Sequence, residues 1–346
     1  METRHRVFLE DARGLAELDD DSVDLVVTSP PYPMIEMWDD LFAELDPEIE
    51  TLLADGDGRA AFEAMHDVLD AVWSELGRVL VDGGIACINV GDATRTLADS
   101  FRVYQNHARI VECFERLGFE PLPEILWRKP VNSAAKFMGS GMLPPNAYVT
   151  LEHEYILPFR NGTDRRSFEP GADRRYEAAY FWEERNRWFS DVWTDVTGEL
   201  QALDHDELRD RSGAYPFEVP YRLINMYSAY GDTVLDPFWG TGTTTLAAMV
   251  AGRHSVGYEI ESDFVGVFDD RVDEVPAISR RVGGQRLEDH RAFVDERRAD
   301  GDELDYDAVH YDFPVMTRQE RQIRLYRVAD VEETPDGYRA VHDPIE

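Results

Sequence analysis

The sequence predicts an α/β protein built on a Rossmann-like, doubly wound and mostly parallel sheet. Short apolar runs, which are typical of buried strands, alternate with segments whose apolar residues recur at helical spacing. This alternation covers residues 1–127, lapses across 128–212 and resumes at 213–280. The pattern therefore predicts one sheet interrupted by an inserted region.

Each predicted strand is a short apolar run that turn residues close. The run at 23–27 stops at Ser29-Pro30-Pro31, and the run at 85–90 begins just after Gly83-Gly84. The run at 234–235 leads into a segment with two glycines. The predicted strands cover residues 6–9, 23–27, 85–90, 123–127, 154–159, 234–235 and 255–259.

The predicted helices rest on apolar residues three and four positions apart. Phe62, Met65, Leu69 and Val72 show this spacing, and Gly118 is a typical stop for the helix before it. The predicted helices cover residues 62–80, 101–117, 219–230, 243–251 and 263–272. Residues 281–346 form a charged extension with an arginine-rich, helix-like stretch near 317–327, and we assign them no place in the core.

Composition limits the class of protein. The 346 residues are 43% hydrophobic, which excludes global disorder, and no apolar run reaches the length of a membrane span. Cys87 and Cys113 lie in no metal-type pair, so we expect a reduced, cytoplasmic protein. His153 has a glutamate on each side, but strand alternation sends neighbours to opposite faces, so we expect no metal site.

Charge is strongly and unevenly distributed. The chain has 70 acidic and 35 basic residues, a net charge of −35, and its only lysines are Lys129 and Lys136. Acid excess with few lysines is typical of proteins from salt-loving archaea, where concentrated salt screens self-repulsion. The window 128–188 has ten basic and eight acidic residues, so it is the candidate nucleic-acid face, with a solvated loop as the alternative.

The segment after residue 234 has the features of a nucleoside-cofactor loop. A strand ends at Asp236, Gly240 and Gly242 allow close approach to the backbone, and a helix start at Thr243 offers free N–H groups to a carboxylate. Glu259, at the end of the next strand, is suited to ribose hydroxyls. The loop lacks the third glycine of the usual dinucleotide motif, and no Gly-Lys-Ser/Thr is present, which excludes a P-loop.

Two strings together resemble one family. Thr-Ser-Pro-Pro-Tyr at 28–32 and Asp-Pro-Phe-Trp-Gly-Thr-Gly-Thr-Thr at 236–244 occur in the order of the β-class DNA amino-methyltransferases. These enzymes use S-adenosylmethionine (SAM) to methylate N4 of cytosine or N6 of adenine. The resemblance extends over residues 5–270, although the segment at 215–220 lacks the His-Pro with which the family often begins it. It implies that the SAM-binding residues are Asp11, Thr28, Asp236, Pro237, Phe238, Gly240, Gly242, Thr243 and Glu259.

The resemblance also implies a catalytic centre at Ser29, Pro30, Pro31 and Tyr32. An exocyclic base amine is a weak nucleophile, so catalysis must accept its hydrogens and hold the nitrogen in line with the sulfonium methyl. The Ser29 hydroxyl and the Pro30 carbonyl are suitable acceptors, and Tyr32 offers a flat face to a flipped base. In this family a serine in the first position usually accompanies cytosine N4, and an aspartate usually accompanies adenine N6. No Pro-Cys pair is present, which argues against C5 methylation.

We therefore expect a site-specific enzyme that acts on cytosine N4 in double-stranded DNA, most similar to the cytosine-N4 group, with the solitary CTAG type of haloarchaea as a candidate subgroup. Residues 128–212 are the expected target-recognition region. Its expected DNA-binding residues are Lys129, Lys136, Arg165, Arg166, Arg174 and Arg175. A cognate restriction endonuclease is an expected partner, and both monomer and homodimer remain open. Methylation of adenine N6 or of an RNA base, a non-catalytic DNA-binding protein, and a nicotinamide-dependent oxidoreductase are the alternatives.

Overall fold

A computed structural model of the chain describes residues 1–129, 138–197, 215–302 and 304–346. The strands in this part are β1 (Glu2–Phe8), β2 (Val23–Thr28), β3 (Leu80–Val90), β4 (Ala93–Leu97), β5 (Ser100–Tyr104), β6 (Phe119–Pro121), β7 (Ile125–Arg128), β8 (Met138–Gly139), β9 (Ala147–Tyr148), β10 (His153–Asn161), β11 (Val192–Trp193), β12 (Thr233–Asp236), β13 (His254–Tyr258), β14 (Tyr306–Asp307), β15 (Pro314–Val315), β16 (Tyr326–Thr334) and β17 (Gly337–Pro344).

The α-helices in the same ranges are α1 (Asp39–Leu45), α2 (Glu48–Ala54), α3 (Gly58–Val79), α4 (Asn106–Arg116), α5 (Asp173–Glu177), α6 (Trp182–Trp188), α7 (Glu218–Tyr227), α8 (Thr243–Ala251), α9 (Asp263–Val272) and α10 (Val275–Ala299). Short 3₁₀ turns lie at Glu36–Trp38 and Glu320–Gln322. In these ranges, none of the helices combines the length and the apolar composition that crossing a membrane requires.

The central sheet has eleven strands in the order β11-β7-β10-β3-β2-β12-β13-β1-β17-β16, with β6 paired to β10. Its middle strands β3, β2, β12, β13 and β1 are parallel, so their carboxyl ends meet at one edge, which we call the carboxyl edge. The chain reaches β12 only after some 200 residues, yet Leu235 pairs with Val26. The predicted mostly parallel, doubly wound sheet is confirmed, as is the adjacency of the strands ending near Ser29 and at Asp236.

Helices cover both faces of the sheet. Successive residues of β2 point to opposite sides, so Val26 packs with Met65 and Trp73 of α3, while Val27 packs with the helices of the other face. That second face receives α7, α8 and α10. Every residue of α8 is buried, because its small side chains allow it to lie directly on the sheet.

Two sequence predictions about the elements were wrong. The predicted helix at 101–117 begins only at Asn106, because Ser100–Tyr104 pairs with Ala93–Leu97 in a hairpin. The arginine-rich stretch near 317–327 is not a helix, since a 3₁₀ turn is followed there by β16. In the first case, backbone pairing with a neighbouring strand outweighs the local helical spacing, whereas in the second only Tyr326 and Arg327 join a strand.

The C-terminal extension is part of the core, although its charged composition did not indicate this. The long helix α10 packs on the sheet, and the hairpin β16–β17 adds to β1 through antiparallel pairing of β17. Tyr338 and Ala340 of β17 are buried, whereas the alternate residues face outward. The predicted boundary at residue 280 falls inside α10.

Candidate active site

The two motifs of the sequence are joined by the carboxylate of Asp236. Thr28, the last residue of β2, donates its hydroxyl to Oδ1 at 2.6 Å, and Thr244 of α8 donates to Oδ2 at 2.5 Å. The Phe238 N–H also donates to Oδ1, at 3.1 Å. Asp236 is 4% exposed, and burial raises its pKa to about 6. Asp236 thus holds the Ser-Pro-Pro-Tyr turn against the glycine loop.

A cavity of about 500 Å³ opens at the carboxyl edge between these two motifs. Of the residues predicted to bind SAM or to catalyse, those that line it are Asp11, Ser29, Pro30, Pro31, Tyr32, Asp236, Pro237, Phe238, Gly240, Thr243 and Glu259. Lys129 also lines it. The tertiary structure therefore brings residues from both ends of the chain to one cleft. Thr28 and Gly242 lie behind the lining, in contact with residues that form it.

The two glycines of the loop have different surroundings. Gly240 has φ +51°, and a Cβ there would meet only the Phe238 carbonyl oxygen at 3.9 Å, so this glycine leaves open space beside the backbone. Gly242, with φ +73°, begins α8, and a Cβ there would overlap the Phe268 ring. Gly242 thus allows the helix to pack closely, whereas Gly240 leaves the room that a bound ligand needs.

The acidic residues at the tips of β13 and β1 lie along the same edge. Glu259 accepts from the Gly240 N–H at 2.7 Å and from the N–H groups of Ile260 and Glu261 at 2.9 Å each. Burial raises the pKa of Glu259. Asp11 pairs with Arg13 at 2.7 Å. Both carboxylates are therefore held in position at the cavity wall.

A connected polar network lies at the end of the cleft that holds Ser29 and Tyr32, which we call the catalytic end because these are predicted catalytic residues. The Ser29 and Tyr32 hydroxyls are 3.0 Å apart, and the Tyr32 hydroxyl is 3.1 Å from Glu154 Oε2. Asn89 donates through Nδ2 to the Tyr32 oxygen and to Glu154 Oε2, each at 2.8 Å. Lys129 Nζ donates to Glu154 Oε1 at 2.7 Å. Five side chains from β2, β3, β7 and β10 and the loops after them thus converge.

Sequence reasoning missed Asn89 and Glu154. Each is a polar residue inside a run that we assigned to a buried strand, and both are almost fully buried, at 2% and 8% exposed. A buried polar side chain within an apolar strand needs a partner, and this could have marked both residues as candidates.

Most of the predicted DNA-binding residues do not lie at the cleft. Strand β10 is antiparallel to β3, so it begins at the carboxyl edge beside the cleft and ends at the opposite edge, where Arg165 to Arg175 follow. Arg166 and Arg174 both pair with the buried Asp232 at 2.5 Å, one strand length from Asp236. The Arg175 guanidinium lies over the Phe168 ring at 5.0 Å, and Arg165 is exposed on the same segment.

Of the two lysines of the chain, Lys129 lies in the described part of the structure and Lys136 does not. Lys129 follows β7, which runs toward the carboxyl edge, and its ammonium group pairs with Glu154 inside the cleft. Lys136 lies outside the described residues. In the region 128–212, Lys129 thus lies at the carboxyl edge and Arg165 to Arg175 follow the opposite end of β10. The assignment of this region to DNA recognition stays a prediction.

The sheet topology and the cleft define the class of SAM-dependent methyltransferases with a Ser-Pro-Pro-Tyr centre. The family model of N6/N4 DNA methylases matches residues 23–269. The chain is 52% identical over 329 residues to the type II methyltransferase M.MthZI of Methanothermobacter thermautotrophicus, which covers 94% of this chain and 91% of that protein. Identity to M.MjaI of Methanocaldococcus jannaschii is 49% over 281 residues, which covers 78% and 91%. The chain therefore belongs to the N6/N4 DNA methylase family.

Solved structures agree with this assignment. The putative DNA modification methylase TTHA0409 of Thermus thermophilus, solved with SAM, is 33% identical with a TM-score of 0.62, over 79% of this chain and 95% of that one. The cytosine-N4-specific PvuII DNA methyltransferase has the same fold at 15% identity, with a TM-score of 0.52 over 81% and 93% of the two chains. The protein is thus a DNA methyltransferase that uses SAM. The open backbone at Gly240 and the fixed carboxylate of Glu259 fit that cofactor.

Proposed function

We propose that the protein methylates the exocyclic N4 of cytosine in duplex DNA, acting on a base flipped into the cleft. The observation that carries this proposal is the Ser29 hydroxyl, a neutral acceptor that lies in the cleft where adenine-directed relatives usually have an aspartate. When bound, SAM supplies a sulfonium methyl group, and the amine nitrogen forms its bond to that carbon as the carbon–sulfur bond breaks. The roles of the chain are to position the amine, accept its hydrogens and exclude water.

The side chains lining the cleft support a division of roles. Ser29 and Pro30 line the space that the target amine would enter, and we assign the Ser29 hydroxyl and the Pro30 carbonyl as its acceptors. Two consecutive prolines restrict the direction of that carbonyl. The Tyr32 ring lines the same space and offers a face for stacking. We assign Glu259 to the ribose of SAM and Asp11 to its adenine. Asp236 holds the glycine loop in position.

We further propose that DNA approaches the carboxyl edge over residues 125–129 and 138–151, the described parts of the stretch 125–151. This is the longest stretch of the chain without an acidic residue, and it includes Arg128 and both lysines. It leaves the sheet beside the cleft, at Lys129, and its exposed side chains include Met142, Leu143 and Val149. A neutral-to-basic, apolar rim is suited to phosphates and to the gap left by a flipped base. Arg166 and Arg174, already paired with Asp232, support the fold instead.

The experiment is methyl transfer from SAM to duplex DNA in molar potassium chloride, with the product nucleosides identified by mass spectrometry. We expect N4-methyldeoxycytidine from the wild type and none from Ser29→Ala, which retains SAM binding in calorimetry. Ser22→Ala is the control, because this serine precedes the other end of β2 and bonds to the Asp19 carbonyl. N6-methyldeoxyadenosine as the only product would assign the enzyme to adenine, and no methylated base of any kind would refute the proposal.

The type II designation of the two archaeal relatives supports one further element of the proposal, a cognate restriction endonuclease that shares the methylated site. Duplex DNA methylated by this protein should then resist that nuclease. Cleavage of fully methylated DNA at the same rate as unmethylated DNA would contradict this pairing.

A further inference from the structure

The polar network at the catalytic end of the cleft terminates in a carboxylate that the proposed reaction has not yet used. Glu154 is 8% exposed and lies near the start of β10. Three donors meet it, namely the Tyr32 hydroxyl at 3.1 Å, Asn89 Nδ2 at 2.8 Å and Lys129 Nζ at 2.7 Å. Lys129 offsets the cost of burying the negative charge, and its half-exposed side chain connects the carboxylate to solvent.

The direction of each hydrogen bond follows from the chemistry of a carboxylate, which only accepts. The Tyr32 hydroxyl therefore donates its one proton to Glu154 Oε2. Burial and the neighbouring Glu154 raise the pKa of Tyr32 well above its usual range, so it remains a donor. With that proton committed, the Tyr32 oxygen can only accept from the Ser29 hydroxyl, 3.0 Å away.

Asn89 reinforces the same direction. Its Nδ2 donates to the Tyr32 oxygen and to Glu154, and it lies 3.4 Å from the Ser29 oxygen. The opposite amide orientation would place Oδ1 against the carboxylate, where two acceptors repel each other. The Ser29 hydroxyl thus donates its hydrogen bond to Tyr32. The lone pairs of the Ser29 oxygen remain available to accept hydrogen bonds in the cleft.

We propose that Glu154 is a positioning residue that makes Ser29 a hydrogen acceptor for the target amine, and that it takes up the proton released by methylation. This inference rests on the proposed function. It adds the direction of the hydrogen bonds and the destination of the proton, neither of which the Ser-Pro-Pro-Tyr motif specifies.

The proton transfers balance along this path. After the nitrogen has gained its methyl group it carries a positive charge, and one of its hydrogens passes as a proton to Ser29 Oγ. The Ser29 proton moves to the Tyr32 oxygen, and the Tyr32 proton moves to Glu154 Oε2. Ser29 and Tyr32 end as they began, while Glu154 becomes a neutral acid until it releases the proton to solvent.

The test compares Glu154→Gln with Glu152→Gln under conditions that saturate SAM and DNA. A glutamine can donate to Tyr32, which frees that hydroxyl to donate to Ser29 and occupies the lone pairs that the amine needs. We expect kcat to fall by roughly 100-fold or more, the range of a lost acid–base group, with SAM and DNA affinities within about threefold of wild type. Glu152 pairs with Arg128 on the exposed surface, so Glu152→Gln is the matched control and should retain wild-type kcat.

Two further variants separate positioning from general support of the fold. Glu154→Asp keeps an acceptor-only group and should recover kcat by about tenfold over Glu154→Gln. Tyr32→Phe removes the link between Glu154 and Ser29, so adding Glu154→Gln to it should lower kcat by no more than about threefold.

Independent losses that multiply in the double variant would overturn the inference, as would a kcat for Glu154→Gln within threefold of wild type. A loss confined to SAM or DNA affinity would also overturn it. If the wild-type protein methylates no base, both the proposed function and the inference are refuted. If the wild type is active and Glu154→Gln is equally active, only the inference is refuted.

Discussion

Asp236→Asn should change how the stability of the protein depends on pH. The carboxyl group is buried, and its pKa is raised from 3.8 to about 6. In the folded state it therefore binds a proton more tightly than in the unfolded state. The free energy of unfolding must then fall as pH rises from the unfolded pKa to the folded one, and this penalty is constant above about pH 6.

The size of the effect follows from the shift. A shift of about two pKa units corresponds to about 3 kcal/mol at 1.36 kcal/mol per unit. Roughly 2 kcal/mol of this falls between pH 4.5 and pH 7, because part of the window lies below pH 4.5. The asparagine variant has no such titration. Relative to wild type it should gain about 2 kcal/mol of stability over this range.

Urea unfolding followed by tryptophan fluorescence, at fixed potassium chloride, measures this difference at each pH. Asp232→Asn is the matched control, because the stability that this carboxylate contributes should depend on pH in the opposite direction. Burial tends to raise the pKa of Asp232, but Arg166 and Arg174 hold it below its usual value. Asp232 therefore contributes stability that is lost as pH falls, and its variant should be most destabilised near pH 7. A stability difference between Asp236→Asn and wild type that does not change with pH would refute the reasoning.

Three other predictions follow from the structure. Gly242→Ala should destabilise the fold by about 2–4 kcal/mol in urea unfolding because its Cβ overlaps Phe268, whereas Gly240→Ala should cost only about 1 kcal/mol but weaken SAM binding in calorimetry. Arg166→Ala should cost about 3–5 kcal/mol by leaving Asp232 buried with one cation fewer, with kcat for methyl transfer unchanged in assays below the unfolding transition. The thermal midpoint should rise between 0.1 M and 2 M potassium chloride, since screening reduces the repulsion of a chain with net charge −35; a midpoint independent of salt would contradict this.

The sequence determined the class of fold and the location of its two motifs. Apolar runs indicate buried strands, and a glycine-rich segment directly after a strand is typical of only a few kinds of structure. Residues 23–32 and 234–244 could therefore each be interpreted from the local sequence alone. Their chemistry is local as well, because the acceptors at Ser29 and Pro30 and the open backbone at Gly240 are properties of single residues. Helical spacing was a weaker guide, as the hairpin at 93–104 and the turn at 320–322 showed.

Only the tertiary structure decided which residues meet. The direction of β10 in the sheet brings Glu154 to the catalytic end of the cleft and carries the arginines that follow to the opposite edge. Strand pairing also sets Thr28 against Asp236, 208 positions apart, and joins the charged C-terminal hairpin to β1. Apolar spacing reports how deeply a segment is buried, but not which strand lies beside it or in which direction it runs. For this reason the sequence indicated Ser29 as a candidate active-site residue, whereas the carboxylate that we propose directs it was found only in the folded structure.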